Sequence, residues 1–163
     1  MTPATDDAMP NAPAERVQAV LEEIVDALDL DADVEVSEDD DRIEGRVEGE
    51  ELGLLIGRRG QTIDAVQLVC YRAAFRGLQD RKRVVVDAAG YRQRRRQTIE
   101  RQAERAAERA LSSGKEIELE PMTPMERKIV HDTLKDRSGL ETFSEGDEPE
   151  RCVIVAPLLN ADD

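Results

Sequence analysis

The residues best suited to chemistry are Gly57-Arg58-Arg59-Gly60, a four-residue turn between two apolar segments. Leu52, Leu55 and Ile56 precede it, and Ile63, Val66, Val69 and Cys70 follow at helical spacing. Glycine lacks the Cβ that would hold a large anion away from the main chain, and it tolerates unusual φ/ψ angles. The N–H groups that open the second helix have no intrahelical acceptor and attract phosphate. Arg58 and Arg59 add forked donors and permanent positive charge. The chemistry on offer is capture of a polyanion rather than bond making. The turn is not a P-loop, because no Lys-Ser/Thr pair follows the last glycine, and it is not a dinucleotide fingerprint, because no Gly-x-Gly precedes it. Taken alone, the same spacing also suits a plain corner between two helices.

Arg92, Arg94, Arg95 and Arg96 form a second basic group with no acid beside them, and they are expected to contact phosphate. Catalysis finds little support. His131 is the sole histidine, its neighbour Asp132 belongs to a different helical face, and a nucleophile needs both a base and an orienting group. Cys70 and Cys152 lie inside apolar patterns and read as small buried hydrophobes. With one histidine they do not fill a four-ligand zinc site. The expectation is therefore no enzyme, no cofactor, no metal and no small-molecule substrate.

The elements that position these residues follow from periodicity. Residues 1–13, with Pro3, Pro10 and Pro13, read as a disordered leader. From Ala14, Val17, Val20, Leu21, Ile24 and Leu28 line one helical face. Val34 and Val36, a polar turn over 37–41, and Ile43, Gly45 and Val47 predict a hairpin. Two helices flank the Gly-x-x-Gly turn, Gly77 ends the second, and Val84, Val85 and Val86 predict a third strand. A long helix runs from Tyr91 to Ser113. On it Arg101, Arg105 and Arg109 form an i, i+4 stripe beside Glu100, Glu104 and Glu108, the pattern of a solvated, salt-bridged surface. Ile117 and Leu119 suggest a short strand. Thr123-Pro124-Met125-Glu126 reads as a capping box opening a helix with Ile129, Val130 and Leu134 on one side and Arg127, His131 and Lys135 on another. Thr142, Phe143 and Cys152 to Val155 predict a closing hairpin around Gly146 and Pro149.

A chain of 163 residues holds one domain or two small ones. Its only aromatic residues are Tyr71, Phe75, Tyr91 and Phe143, which argues against recognition by aromatic stacking platforms. The net charge of −14 hides an uneven distribution. Residues 1–51 carry 18 acidic and 3 basic side chains, residues 52–115 carry 15 basic and 6 acidic, and residues 116–163 carry 13 acidic and 5 basic. A basic middle between acidic ends fits a polyanion-binding strip, and the ends also suit solubility or an acidic proteome adapted to salt. No apolar run reaches membrane length and no signal peptide is evident, so a cytoplasmic location is the default.

Ile56-Gly57-Arg58-Arg59-Gly60-Gln61-Thr62-Ile63 resembles the KH signature, and the element order helix, strand, strand, helix, turn, helix, strand is that of a type II KH domain. Further on, Arg127 and His131 are separated by three residues, as in the R-x-x-x-H (R-three-H) domain. The run from Pro121-Met122 through Glu126-Arg127 and His131 to Gly146, Pro149 and Arg151 resembles the version that follows a KH domain in the bacterial Jag (SpoIIIJ-associated) family. This resemblance implies an α+β chain: a leader over 1–13, a type II KH domain over 14–89, and an R-x-x-x-H domain over 90–160 that includes the helix 91–113. It leaves no room for the N-terminal Jag-N domain of many members. It implies nucleic-acid contacts from Ile56, Gly57, Arg58, Arg59, Gly60 and Ile63, to which the charge reading adds Arg92, Arg94, Arg95 and Arg96. It also implies that Arg127 and His131 form an exposed patch, with His131 adding affinity below about pH 6.5. The competing reading of His131 is a core or capping residue. The implied function is sequence-tolerant binding of single-stranded RNA, or DNA, in a post-transcriptional or RNA-chaperone role, with a small KH-only protein as partner. The alternative is a protein-interaction or ribosome-assembly module that docks protein on the KH surface.

Overall fold

The computed structural model describes residues 12–158. They divide into two compact units between Arg92 and Gln93. The expected leader lies outside the described residues up to residue 11. Pro13 does not end it but opens helix α1 (Pro13–Ala27), where a fixed φ and a missing N–H cost nothing.

In the first unit, Val17, Leu21 and Val25 recur every four residues on α1 and are buried, with Val20, Ile24 and Leu28 packed at the margin. Strands β1 (Ala32–Glu38) and β2 (Arg42–Gly49) pair antiparallel, with Val34 opposite Val47 and Val36 opposite Gly45. The Asp39 carboxylate holds their turn by accepting from the N–H groups of Asp41 and Arg42, each at 2.9 Å, and these bonds keep its pKa below the usual range. Helix α2 (Gly53–Ile56), a 3-10 turn (Arg58–Gly60) and helix α3 (Gln61–Ala74) lead to β3 (Arg83–Ala88), which joins β2 in parallel to give the order β1-β2-β3. Ile43, Val47, Val84, Val86 and Ala88 form the buried face of this sheet, sharing a core with α1 and α3. Helix α3 stops at Ala74, short of Gly77, where Arg16 donates to the carbonyls of Ala74 (3.3 Å) and Arg76 (3.0 Å). Ile63, Val66 and Cys70 face the core as expected, but Val69 does not: the 3.6-residue period turns Ala65, Leu68, Val69 and Arg72 outward together.

Helix α4 (Tyr91–Ser113) begins two residues before the division, and within the second unit it buries Ile99, Ala103, Ala106, Ala107 and Ala110. These small residues form the core face beside the charged stripes. Arg101, Arg105 and Arg109 are exposed as expected, but among the described residues no ion pair runs between the two stripes. Glu100 takes Arg96 and Glu104 takes Arg137, both at 2.8 Å. Strands β4 (Ile117–Glu118), β5 (Leu140–Glu145) and β6 (Cys152–Pro157) form an antiparallel sheet in the order β4-β6-β5. Val153 and Val155 share a core with Met122 and with Val130 and Leu134 of helix α5 (Pro124–Leu134). Thr123 and Glu126 complete the expected capping box: Thr123 Oγ1 accepts from the Glu126 N–H and Glu126 Oε2 from the Thr123 N–H. Both cysteines are buried and unbridged, and burial pushes the Cys70 thiol up to about 12.

Candidate nucleic-acid interface

The turn between α2 and α3 is built from left-handed backbone. Gly57 has φ 72° and ψ 176°, Arg59 has φ 53° and ψ 29°, and Gly60 has φ 77° and ψ 12°. The Gly57 N–H ends α2 by donating to the Gly53 carbonyl at 2.8 Å, and the Gly60 N–H closes back on the Gly57 carbonyl at 3.3 Å. A Cβ on Gly57 would run into the Thr62 side chain, and one on Gly60 would stand 2.7 Å from the Tyr91 ring. The glycines therefore serve the inside of the turn as well as its outer surface. Gly57 occupies a region essentially closed to other residues. Gly57→Ala is thus expected to cost about 1–3 kcal/mol in chemical denaturation, against under about 0.5 kcal/mol for the exposed Arg58→Ala. Equal losses for the two would show that the turn is not held as described.

No side chain caps the start of α3, because its N-cap is Gly60. The Gln61 N–H closes on the Arg58 carbonyl, and the donors that follow it have no side-chain cap, with Arg58 exposed at the rim and Arg59 half-exposed. Ile56 is half-buried beside them, whereas Ile63 is fully buried. This corrects the expected contact at Ile63, which supports the turn from beneath. Asp64, the acid in this first turn, would repel a phosphate, but Arg92 neutralises it at 2.8 Å.

The other arginines of the group also have partners, and the i, i+4 pair of Arg96 with Glu100 corrects the expectation that the group has no local acid. Arg95 donates to the largely buried Glu126 at 2.7 Å, and Arg96 to Glu100 at 2.8 Å. The acids for Arg92 and Arg95 lie 28 and 31 residues away along the chain, beyond the reach of a local reading. Arg94 is exposed.

The expected exposed patch of Arg127 and His131 is not present. Arg127 is only 8% exposed. Its Nη1 donates to the Met122 carbonyl at 2.8 Å and its Nη2 to Glu148 at 2.6 Å, so the guanidinium ties the segment before α5 to the β5–β6 loop. Arg151 holds the same loop from its other side, donating to the carbonyls of Gly146 and Ser144. His131 is half-buried, with Nδ1 2.7 Å from Thr142 Oγ1 and Nε2 3.2 Å from Ser144 Oγ on β5. A neutral ring satisfies both hydroxyls by donating to one and accepting from the other. Val130 and Leu134 are buried as expected, and Ile129 is partly buried.

Burial, and then the Arg127 charge, lower the His131 pKa, against a smaller opposing pull from Asp132. This reverses the expected pH effect, because the ring stays neutral where a free imidazole would charge. The unfolded chain takes up the proton first, so the stability this neutral ring allows is complete above the unfolded pKa and is lost as pH falls below it. The melting temperature of the second unit should fall as pH drops from about 7.5 to about 5.5, and His131→Asn should flatten that fall. A variant with an unchanged pH profile would show that His131 does not titrate in this way.

Among the described residues, no cluster of His, Cys, Asp and Glu is arranged to hold a metal, and no helix is long and apolar enough to cross a membrane. Two domain families match the chain: the KhpA/KhpB KH domain over residues 14–87 and the R-three-H domain over residues 97–157. The chain is 36% identical over 138 residues to the RNA-binding protein KhpB of Clostridium symbiosum, covering 83% of this chain and 62% of that protein. It is 35% identical over 146 residues to the RNA-binding protein KhpB of Bacillus subtilis, covering 88% of this chain and 70% of that protein. The RNA-binding protein KhpB of Streptococcus pneumoniae is 29% identical over 142 residues, which are 87% of this chain and 43% of that one. These names describe RNA-binding proteins and state no catalytic activity. With both domains in this order and a match to most of the Bacillus subtilis protein, the chain belongs to the KhpB family.

Proposed function

We propose that this chain binds single-stranded RNA by its sugar–phosphate backbone, with little dependence on base sequence, in a post-transcriptional or RNA-chaperone role in the cytoplasm. The observation that carries the reading is the uncapped start of α3 at Gly57–Gly60, with Arg58 at its rim and Asp64 neutralised by Arg92. The names of the relatives support RNA over other polyanions. If roughly three to six phosphates are neutralised, the logarithm of the affinity falls against log salt with a slope of about −2 to −4. Duplex should bind more weakly than single strand.

A second reading, docking of protein on the KH surface, draws on three exposed apolar side chains: Leu54 (67%), Leu68 (56%) and Val69 (51%). A small KH-only protein is the partner proposed for them. A flat salt profile with equal affinity for duplex and single strand would leave protein docking alone.

A further inference from the structure

The outer edge of β3 has no neighbouring strand, since β3 pairs only with β2 in the order β1-β2-β3. In a parallel strand alternate residues turn their N–H and C=O to the same side, so the edge offers paired donors and acceptors at every second residue. Val86 is one such residue, and its groups are already taken. Its N–H donates to Gln67 Oε1 at 3.0 Å, and its carbonyl accepts from Arg92 Nε at 2.8 Å. Arg92 Nη2 donates in turn to Gln67 Oε1 at 3.0 Å, closing a ring of bonds, and Nη1 holds Asp64 at 2.8 Å. Together the two side chains present to Val86 the acceptor and donor that the edge of a nucleobase would present.

We infer that Gln67 and Arg92 are specificity-determining residues that close the strand edge at Val86 to nucleobases, which makes the RNA binding proposed above tolerant of sequence. The inference rests on that reading. The placement supports it: Asp64 lies one helical turn beyond Gly60, and Tyr91, next to Arg92, lies against Gly60. The closed edge therefore flanks the phosphate turn. Two residues earlier, Val84 turns its main-chain groups the same way, and among the described residues no side chain bonds to them. It lines an open groove of about 250 Å³ with Asp64, Gln67, Leu68, Tyr71 and Arg83. Base reading by the main chain of this edge is then left to that groove.

The test compares binding of the full chain to four RNA homopolymers of equal length, using ratios so that a general loss of affinity cancels. The native chain should bind all four within about threefold. The variant Arg92→Ala with Asp64→Asn, which opens the Val86 carbonyl without exposing a new charge, should spread them by at least about fivefold, the lower end of what one paired base contact discriminates. Gln67→Ala opens only the Val86 N–H, leaves the Arg92–Asp64 pair in place, and should also widen the spread. It decides the matter if the double variant does not fold. A spread that stays within about threefold in a folded, binding variant would overturn the inference, as would a native spread above about tenfold. A native chain that binds none of the four would instead overturn the RNA reading itself.

Discussion

Replacing Arg58 and Arg59 together by Asp is expected to lower the affinity for a single-stranded RNA oligonucleotide by at least about tenfold, because two phosphate contacts become two repulsions. Folding should survive. Arg58 is exposed, and at Arg59 the left-handed φ of 53° suits Asp better than Arg, since a short polar side chain tolerates that region. Melting temperature and oligonucleotide affinity measured on the same preparation separate the two effects. A loss of less than about threefold, roughly 0.7 kcal/mol, in a folded variant would remove the phosphate-turn assignment and leave the protein-docking reading of α2 and α3.

Arg127→Ala should act through stability. It leaves the Met122 carbonyl without its donor, at a cost of about 1–3 kcal/mol, and removes the packing of a buried side chain. The bond to Glu148 adds less, because that carboxylate side chain is 53% exposed and solvent screens it. A total of about 2–4 kcal/mol would lower the melting temperature of a unit this size by roughly 10–30 °C. Arg127→Lys should rescue little, since one ammonium on a flexible stem does not reproduce a planar fork aimed at two acceptors. Below its melting temperature the Ala variant should bind RNA within about threefold of the native chain. Unchanged stability with lost affinity would return Arg127 to the binding surface.

The sequence by itself determined the order and kind of the elements. The alternation of Val34, Val36, Ile43 and Val47, the period of Val17, Leu21 and Ile24, and the capping box at Thr123 and Glu126 are local patterns, and local backbone preference with burial of one face is enough to make them. The Gly57–Gly60 turn was legible for the same reason, since positive φ at both glycines is a property of a few consecutive residues. What each charged side chain does was decided by tertiary structure. Arg92, Arg95 and Arg127 look alike in sequence, and each finds its partner 21 to 31 residues away: Asp64, Glu126 and Glu148. The i, i+4 spacing of Arg127 and His131 puts them on one helical face but does not say whether that face meets water or β5 and its loop. Gln67 showed no signal at all, because its role depends on a strand edge that exists only once β3 lies beside β2. Long, flexible cationic side chains reach whichever acceptors the folded chain brings near, and only the folded chain defines which those are.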